Sequence, residues 1–440
     1  MFALDRSQWV RLWTGLVLLS AIFFLGYTAD RSQFASVIIP FSIAFAVYFH
    51  WTGEPGLWDM KDIWTWSVIS RLILFFSIPT LSDDYFRFIW DGQLIIQGVD
   101  PFAFIPSEIL EYDRAGVYDG LNSKHRYTSY PTIMQAVFAA AAAIGGKSIL
   151  LNLAVMRMFL LGADLVFIRI ATVLLPKLGM APRNVVLYAL NPLLIVEGVG
   201  NLHFEGMMMC FTIIGLGALV FSTGINRQLG GVLALGLGVL TKMTSLITVP
   251  SMVWRSGWYR TILFGILVVA LFALGMLPFW SDHLWSHFGE SLQLYFRNFR
   301  FSPSLYGLVD YWTEPYIPHY RAETIGPWVS GMSMLALILV LSWRRDDDPK
   351  NVFRIALFLI AVRLAFASTV HPWYLIDLMA IGLFTSYRFP FIASYMLVFS
   401  YHFYGNDWEE IGLLTFGMYF VVYVYAIWEI WSSYRRQEGT

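Results

Sequence analysis

Five short stretches of this 440-residue chain carry side chains of the kind that move protons or hold anions. The first is "SDDYFRFIWDG", in which Asp83 and Asp84 adjoin and Arg87 and Asp91 follow. On a helix Asp84, Arg87 and Asp91 fall at i, i+3 and i+7 and so share a face, while Phe86, Ile89 and Trp90 lie largely on another. A carboxylate so placed can take a proton from a hydroxyl, and the arginine can hold an anion. A solvated amphipathic helix with a plain Asp–Arg pair has the same spacing. The second is "NPLLIVEGVGNLHFEG", with Glu197, Asn201, His203 and Glu205 about a helix-to-helix junction. Glu197 stands near the end of an apolar run, where an unpaired carboxylate is costly. The third is Lys242, a lone cation between "LALGLGVL" and "MTSLITVP", suited either to an anionic ligand or to snorkelling. The fourth is "STVHPWYL", where His371 and Tyr374 open a helix with Pro372 at its first position, as ligand contacts or as a cap and interface anchor. The fifth is "MRMFLLGADLVFIR", which puts Arg157 and Asp164 inside an apolar run, as a proton-coupled transporter would.

The elements that must position these groups are apolar helices. The chain is 58% hydrophobic and 18% aromatic, with 13% charged residues against roughly 25% in soluble domains. Apolar runs long enough to cross a bilayer recur along most of its length, giving about 13 spans. An all-α polytopic integral membrane protein is expected, as a single transmembrane domain over residues 1–440. Residues 131–176 must cross an odd number of times, and the region around Lys242 must leave both ends on one side. Short, paired or re-entrant helices satisfy both. The start of the chain reads as a retained first helix, because no small-residue cleavage site follows its apolar run.

Lysine and arginine in short loops mark the cytoplasmic side. "LPKLGMAPRN", "INRQ" and "VWRSGWYR" are therefore placed inside. Two acid-rich loops, residues 81–130 and 280–325, are placed outside, the first containing amphipathic helices at the membrane surface. All but the fifth stretch then gather at the outer face. With 29 basic and 30 acidic residues there is no basic stripe for nucleic acid, and a single cysteine, Cys210, allows no internal disulfide. No His-Glu-x-x-His, phosphate-loop or dinucleotide motif occurs, so neither ATP nor a nicotinamide is implied. No divalent metal is indicated, though one assisting the acids is compatible with the residue types.

In order along residues 82–375, "DDYFRFIWDGQLIIQGVDPF", "YPTIMQAVF", "LYALNPLLIVEGVGNLHFEG", "LTKMTSLITVP" and "HPWYL" resemble the multi-spanning GT-C glycosyltransferases. The similarity is greatest to bacterial polyprenyl-phosphate-mannose-dependent mannosyltransferases. What the resemblance implies is a sugar, mannose by the similarity, moved from a polyprenyl-phosphate carrier to an acceptor hydroxyl at the outer face of the bacterial inner membrane. The acceptor is left open between glycolipid, glycan and protein. It further implies inverting transfer with Asp84 as general base and Asp83 in reserve, as acceptor-positioning group or base. Lys242, backed by His371 and Arg87, would hold the phosphate, and His203 and Glu205 the sugar hydroxyls. Asp91, Glu197 and Tyr374 complete the expected substrate-binding set. The chain departs from the family pattern at Thr132, where a second proline is frequent, and after Lys242, where Met243 and Thr244 stand. A flippase of lipid-linked saccharides is the rival reading.

Overall fold

Helix is the only arrangement that satisfies every backbone amide within its own segment, and in so apolar a chain it dominates. The computed structural model describes residues 6–53, 58–297, 300–313, 321–343, 345–405 and 412–438. Parts of the second expected outer loop, residues 298–299 and 314–320, lie outside that set. Among the described residues there are helices and loops, with a lone parallel bridge between Phe301 and Thr369.

The chain begins with α1 (Arg6–Tyr27), α2 (Phe34–Gly53) and α3 (Met60–Leu72), followed by α4 (Asp84–Ile96), α5 (Thr132–Gly145) and the long α6 (Ile149–Lys177). After the short α7 (Val186–Ala189) a π-helical turn, Leu194–Gly200, runs into α8 (Glu205–Phe221) across a bend of 102°. Leu202, inside that bend, has φ 65°, a left-handed conformation that a branched side chain adopts only where its surroundings enforce it. Next come α9 (Ile225–Thr241), a 3-10 stretch Met243–Met252, α10 (Val253–Ser256), α11 (Trp258–Gly275), α12 (Leu284–Arg297) and α13 (Leu305–Thr313). The remainder comprises α14 (Arg321–Trp343), α15 (Pro349–Ala365), α16 (Leu375–Gly382), α17 (Phe389–Met396) and α18 (Leu413–Glu438).

This is an all-α polytopic membrane protein. Six of the described helices are long and apolar enough to cross a bilayer, or seven if the bent pair counts as one span. The other apolar segments, where the sequence placed the rest of about 13 spans, fold as helices of 17 residues or fewer and as 3-10 stretches. Exposed Ile262, Ile266 and Val269 on α11, and Leu335, Ile338 and Leu339 on α14, form the apolar exterior that lipid would cover.

Two close approaches fix the frame around the site. At Gly92 of α4 an added Cβ would lie 2.2 Å from the Phe138 carbonyl oxygen of α5, so the helices cross there in backbone contact. Gly215 does the same for α8 against α9, where a Cβ would lie 2.8 Å from the Gly231 oxygen. A third device is Arg157 on α6, which is 0% exposed. Its guanidinium donates to Phe75 O (3.0 Å) and Ser77 O (2.5 Å) beyond α3, and to Val199 O (3.1 Å) and Gly200 O (2.6 Å) in the π turn. Two irregular segments are thus satisfied by one side chain, as buried carbonyls require.

Candidate active site

Beyond the Arg157 clamp the chain reaches Leu81, whose amide donates to Asn201 Oδ1 at 3.3 Å, and α4 starts at Asp84. Asp83 and Asp84 therefore differ in surroundings despite adjoining. Asp83 is ion-paired with Arg31, from the loop between α1 and α2, and that guanidinium also lies 4.9 Å over the Tyr404 ring. Asp84 accepts a hydrogen bond from Asn122 Nδ2 at 3.1 Å and lies in the first turn of its helix. Burial pushes the Asp84 carboxyl above the usual carboxylate range, opposed by Asn122 and by the charge of Lys242.

Lys242 stands where α9 gives way to the 3-10 stretch, its backbone extended at φ −148° and ψ 132°. Its ammonium pairs with Glu205 at the start of α8 and lies 5.7 Å from the Tyr374 ring centre. Behind it four rings are layered. His203 stacks on Trp373 at 3.9 Å, Trp373 on His371 at 4.2 Å, and His371 on Phe301 at 4.2 Å. Burial and the nearby Lys242 hold the His371 imidazole down to about 3, so it is neutral at physiological pH.

A cavity of about 780 Å³ joins these groups, lined by Asp83, Asp84, Arg87, Glu205, Lys242, His371 and Tyr374 among others. Seven of the ten residues singled out from sequence thus face one space. The other three do not line it. Asp91 is 0% exposed and is consumed by Arg87 Nε (2.7 Å), Thr128 Oγ1 (2.6 Å) and Gln135 Nε2 (3.0 Å). Seven residues along a helix is about 10 Å of rise, so sharing a face with Asp84 did not bring Asp91 to the same cavity. Glu197 accepts from Tyr401 Oη (2.5 Å) and Asn201 Nδ2 (3.2 Å), and its other oxygen is 3.2 Å from His203 Nε2. Glu197 and His203 lie behind the wall, where His203 stacks on Trp373, which lines the cavity.

The solvated-helix alternative for α4 is not what is found, since Arg87 and Asp91 are both buried. Arg87 donates through Nε to Asp91 and through Nη1 to the carbonyl oxygens of Ser123 (3.3 Å) and Arg126 (2.9 Å), and among the described residues its Nη2 makes no hydrogen bond. The residues suggestive of a transport path are also engaged: Asp164 is ion-paired with buried Arg71, and Arg157 serves as the clamp described above.

Several cavity residues escape sequence reasoning. Arg31, Asn122 and Tyr404 come from separate segments and carry no local signal. Arg363 and Asp377, whose Nη2 and Oδ2 are 3.0 Å apart, did carry one, as opposite charges within two apolar runs. Among the described residues no group of three or more His, Cys, Asp or Glu side chains is arranged to hold a metal ion.

Residues 8–257, more than half of the chain, match the family model described as "Alpha-(1->6)-mannopyranosyltransferase, N-terminal domain". The chain belongs to the alpha-(1->6)-mannopyranosyltransferase family. It is 24% identical over 199 residues to alpha-(1->6)-mannopyranosyltransferase A of Mycobacterium tuberculosis, a match covering 44% of this chain and 36% of that protein. The matched stretch is thus little more than a third of the relative's length. No solved structure matches. The family region contains Asp83, Asp84, Arg87, Glu205 and Lys242, whereas Arg363, His371, Tyr374 and Asp377 lie beyond it.

Proposed function

We propose that this protein transfers a mannosyl residue from a polyprenyl-phosphate carrier to a hydroxyl of a glycan or glycolipid acceptor, with inversion at the anomeric carbon. The observation that carries this reading is the pairing pattern at the acids: Asp83 is neutralised by Arg31, while Asp84 faces the cavity shared with Lys242 and, among the described residues, its carboxylate is hydrogen-bonded by the neutral amide of Asn122. Asp84 takes the proton of the acceptor hydroxyl as its oxygen attacks C1 of the sugar. The C1–O bond to phosphate breaks, and the electron pair leaves with the polyprenyl phosphate. Lys242 has protons beyond the one given to Glu205, and these with Arg87 Nη2 and the neutral His371 ring meet the negative charge as it develops. An ammonium and a buried guanidinium fixed before the substrate arrives lose little to reorganisation.

The scarcity of Lys and Arg in the loops that carry the site supports its placement on the non-cytoplasmic side of a bacterial inner membrane. Full-length protein in proteoliposomes with synthetic polyprenyl-phosphate mannose and a mannoside acceptor tests the reading. The expected result is a new mannosidic bond of inverted configuration and free polyprenyl phosphate. Movement of the donor between leaflets with no product would replace this reading by a flippase.

A further inference from the structure

Two ion pairs stand together on the cavity wall. Glu205 pairs with Lys242, and Asp377 with Arg363. Glu205 is 2% exposed and Asp377 3%. Groups buried to that degree are ordinarily fully hydrogen-bonded. Yet among the described residues Glu205 Oε2, Asp377 Oδ1 and Arg363 Nε have no hydrogen-bond partner. Two acceptors and a donor are therefore left unpartnered beside the cavity, beneath the surface of one wall, on side chains already held in place by their ion-pair partners.

The chemistry of the open atoms selects the ligand. The open acceptors are carboxylate oxygens, which repel an anion, so the partner sought at these atoms is not the phosphate that Lys242 meets in the transfer reading. Lys242 and Arg363 repel a metal cation in the same way. An uncharged polyol suits the set, since hydroxyls donate to carboxylate oxygens and accept from a guanidinium N–H. Position narrows the choice. Asp377 lies within electrostatic reach of Lys242 and Glu205, and so does Asp84 from its own side. A hexose whose phosphate rests on Lys242 would present its ring hydroxyls to this wall.

We propose that Glu205, Arg363 and Asp377 form a subsite that reads the non-reacting hydroxyls of the donor hexose, and so selects which sugar is transferred. The proposal rests on the transfer reading above. It extends the site into α15 and α16, outside the segment matched by the family model.

Binding alone tests it, by calorimetry on detergent-solubilised full-length protein with a short-chain prenyl-phosphate mannose and its 2-, 3-, 4- and 6-deoxy analogues. Wild type is expected to bind at least one analogue about 10- to 100-fold more weakly than the parent, the worth of a hydrogen bond to a charged group. Asp377→Asn is expected to bind the parent more weakly by a similar factor and to stop distinguishing that analogue. If Asp377→Asn does not fold, the paired Arg363→Gln/Asp377→Asn variant removes both charges and is judged by the same loss of discrimination. Equal wild-type affinity for parent and all analogues overturns the subsite, as does a variant that still discriminates, since the open atoms would then be serving water. No binding of the parent at all would instead overturn the transfer reading.

Discussion

The assignment of Asp84 as base is tested by Asp84→Asn, an exchange that preserves shape. An asparagine amide oxygen can still accept from Asn122 Nδ2 at 3.1 Å, so the first turn of α4 keeps its tie to the loop above it. What disappears is the proton acceptor. General-base catalysis contributes about 10²- to 10⁴-fold, and at 1.36 kcal/mol per tenfold that is about 3–5 kcal/mol of barrier. In a steady-state transfer assay the loss should appear in kcat, with KM for the donor little changed. The protein should not be less stable for it. Burial raises the Asp84 carboxyl in the folded state, so its ionisation opposes folding above that raised value, and the opposition is relieved as pH falls through it. Removing the charge lifts this opposition at neutral pH. The same shift sets the pH profile: wild-type activity needs the carboxylate and should fall as the medium is acidified through a value above the ordinary 3.8. Asp83→Asn should differ in kind, because it frees Arg31 without touching the proton acceptor, and its kcat should stay within about tenfold of wild type. The reasoning is refuted if folded Asp84→Asn retains kcat while Asp83→Asn loses it.

Three further outcomes follow from the geometry. Arg157→Met leaves four backbone carbonyl oxygens without their donor. At the lower figure of about 1 kcal/mol per abandoned acceptor this removes about 4 kcal/mol, visible as a large fall in thermal stability in detergent. Gly92→Ala forces α4 from the Phe138 carbonyl and should destabilise by about 1–3 kcal/mol, with activity lost in step because α4 carries Asp84; unchanged melting would show that the two backbones are not in contact. His371→Gln should leave the acid limb of the pH profile where it was, since that imidazole is neutral down to about 3; a limb displaced by the substitution would mean that His371 titrates in the working range.

The fold class was legible because it depends on composition, and so was the difference between the acid stretch and its surroundings. The site was legible only where local spacing decides. Asp84 and Arg87 are one helical turn apart and both reach the cavity. Asp91, a further turn along, faces Thr128 and Gln135, whose approach depends on how α5 folds back and leaves no trace in the spacing. His203 looked like a ligand because it sits among carboxylates in sequence, yet its neighbour is Trp373 from a distant segment. Arg31 is the partner that tells Asp83 from Asp84, and nothing in "ADRSQ" points 52 residues ahead. The pair Arg363 and Asp377 could have been found by asking which charges stand inside apolar runs, the question that had singled out Asp164 and Arg157.

The guanidinium of Arg157 stands where a soluble protein would use ordered water. Turning a chain in apolar surroundings exposes carbonyls, and the usual remedy is to let solvent in to meet them. Here the carbonyls of the turns beside the acids are met by a side chain, so this part of the framework needs no water of its own. In a glycosyl transfer water competes with the acceptor hydroxyl, and turns satisfied without it bring none to that competition.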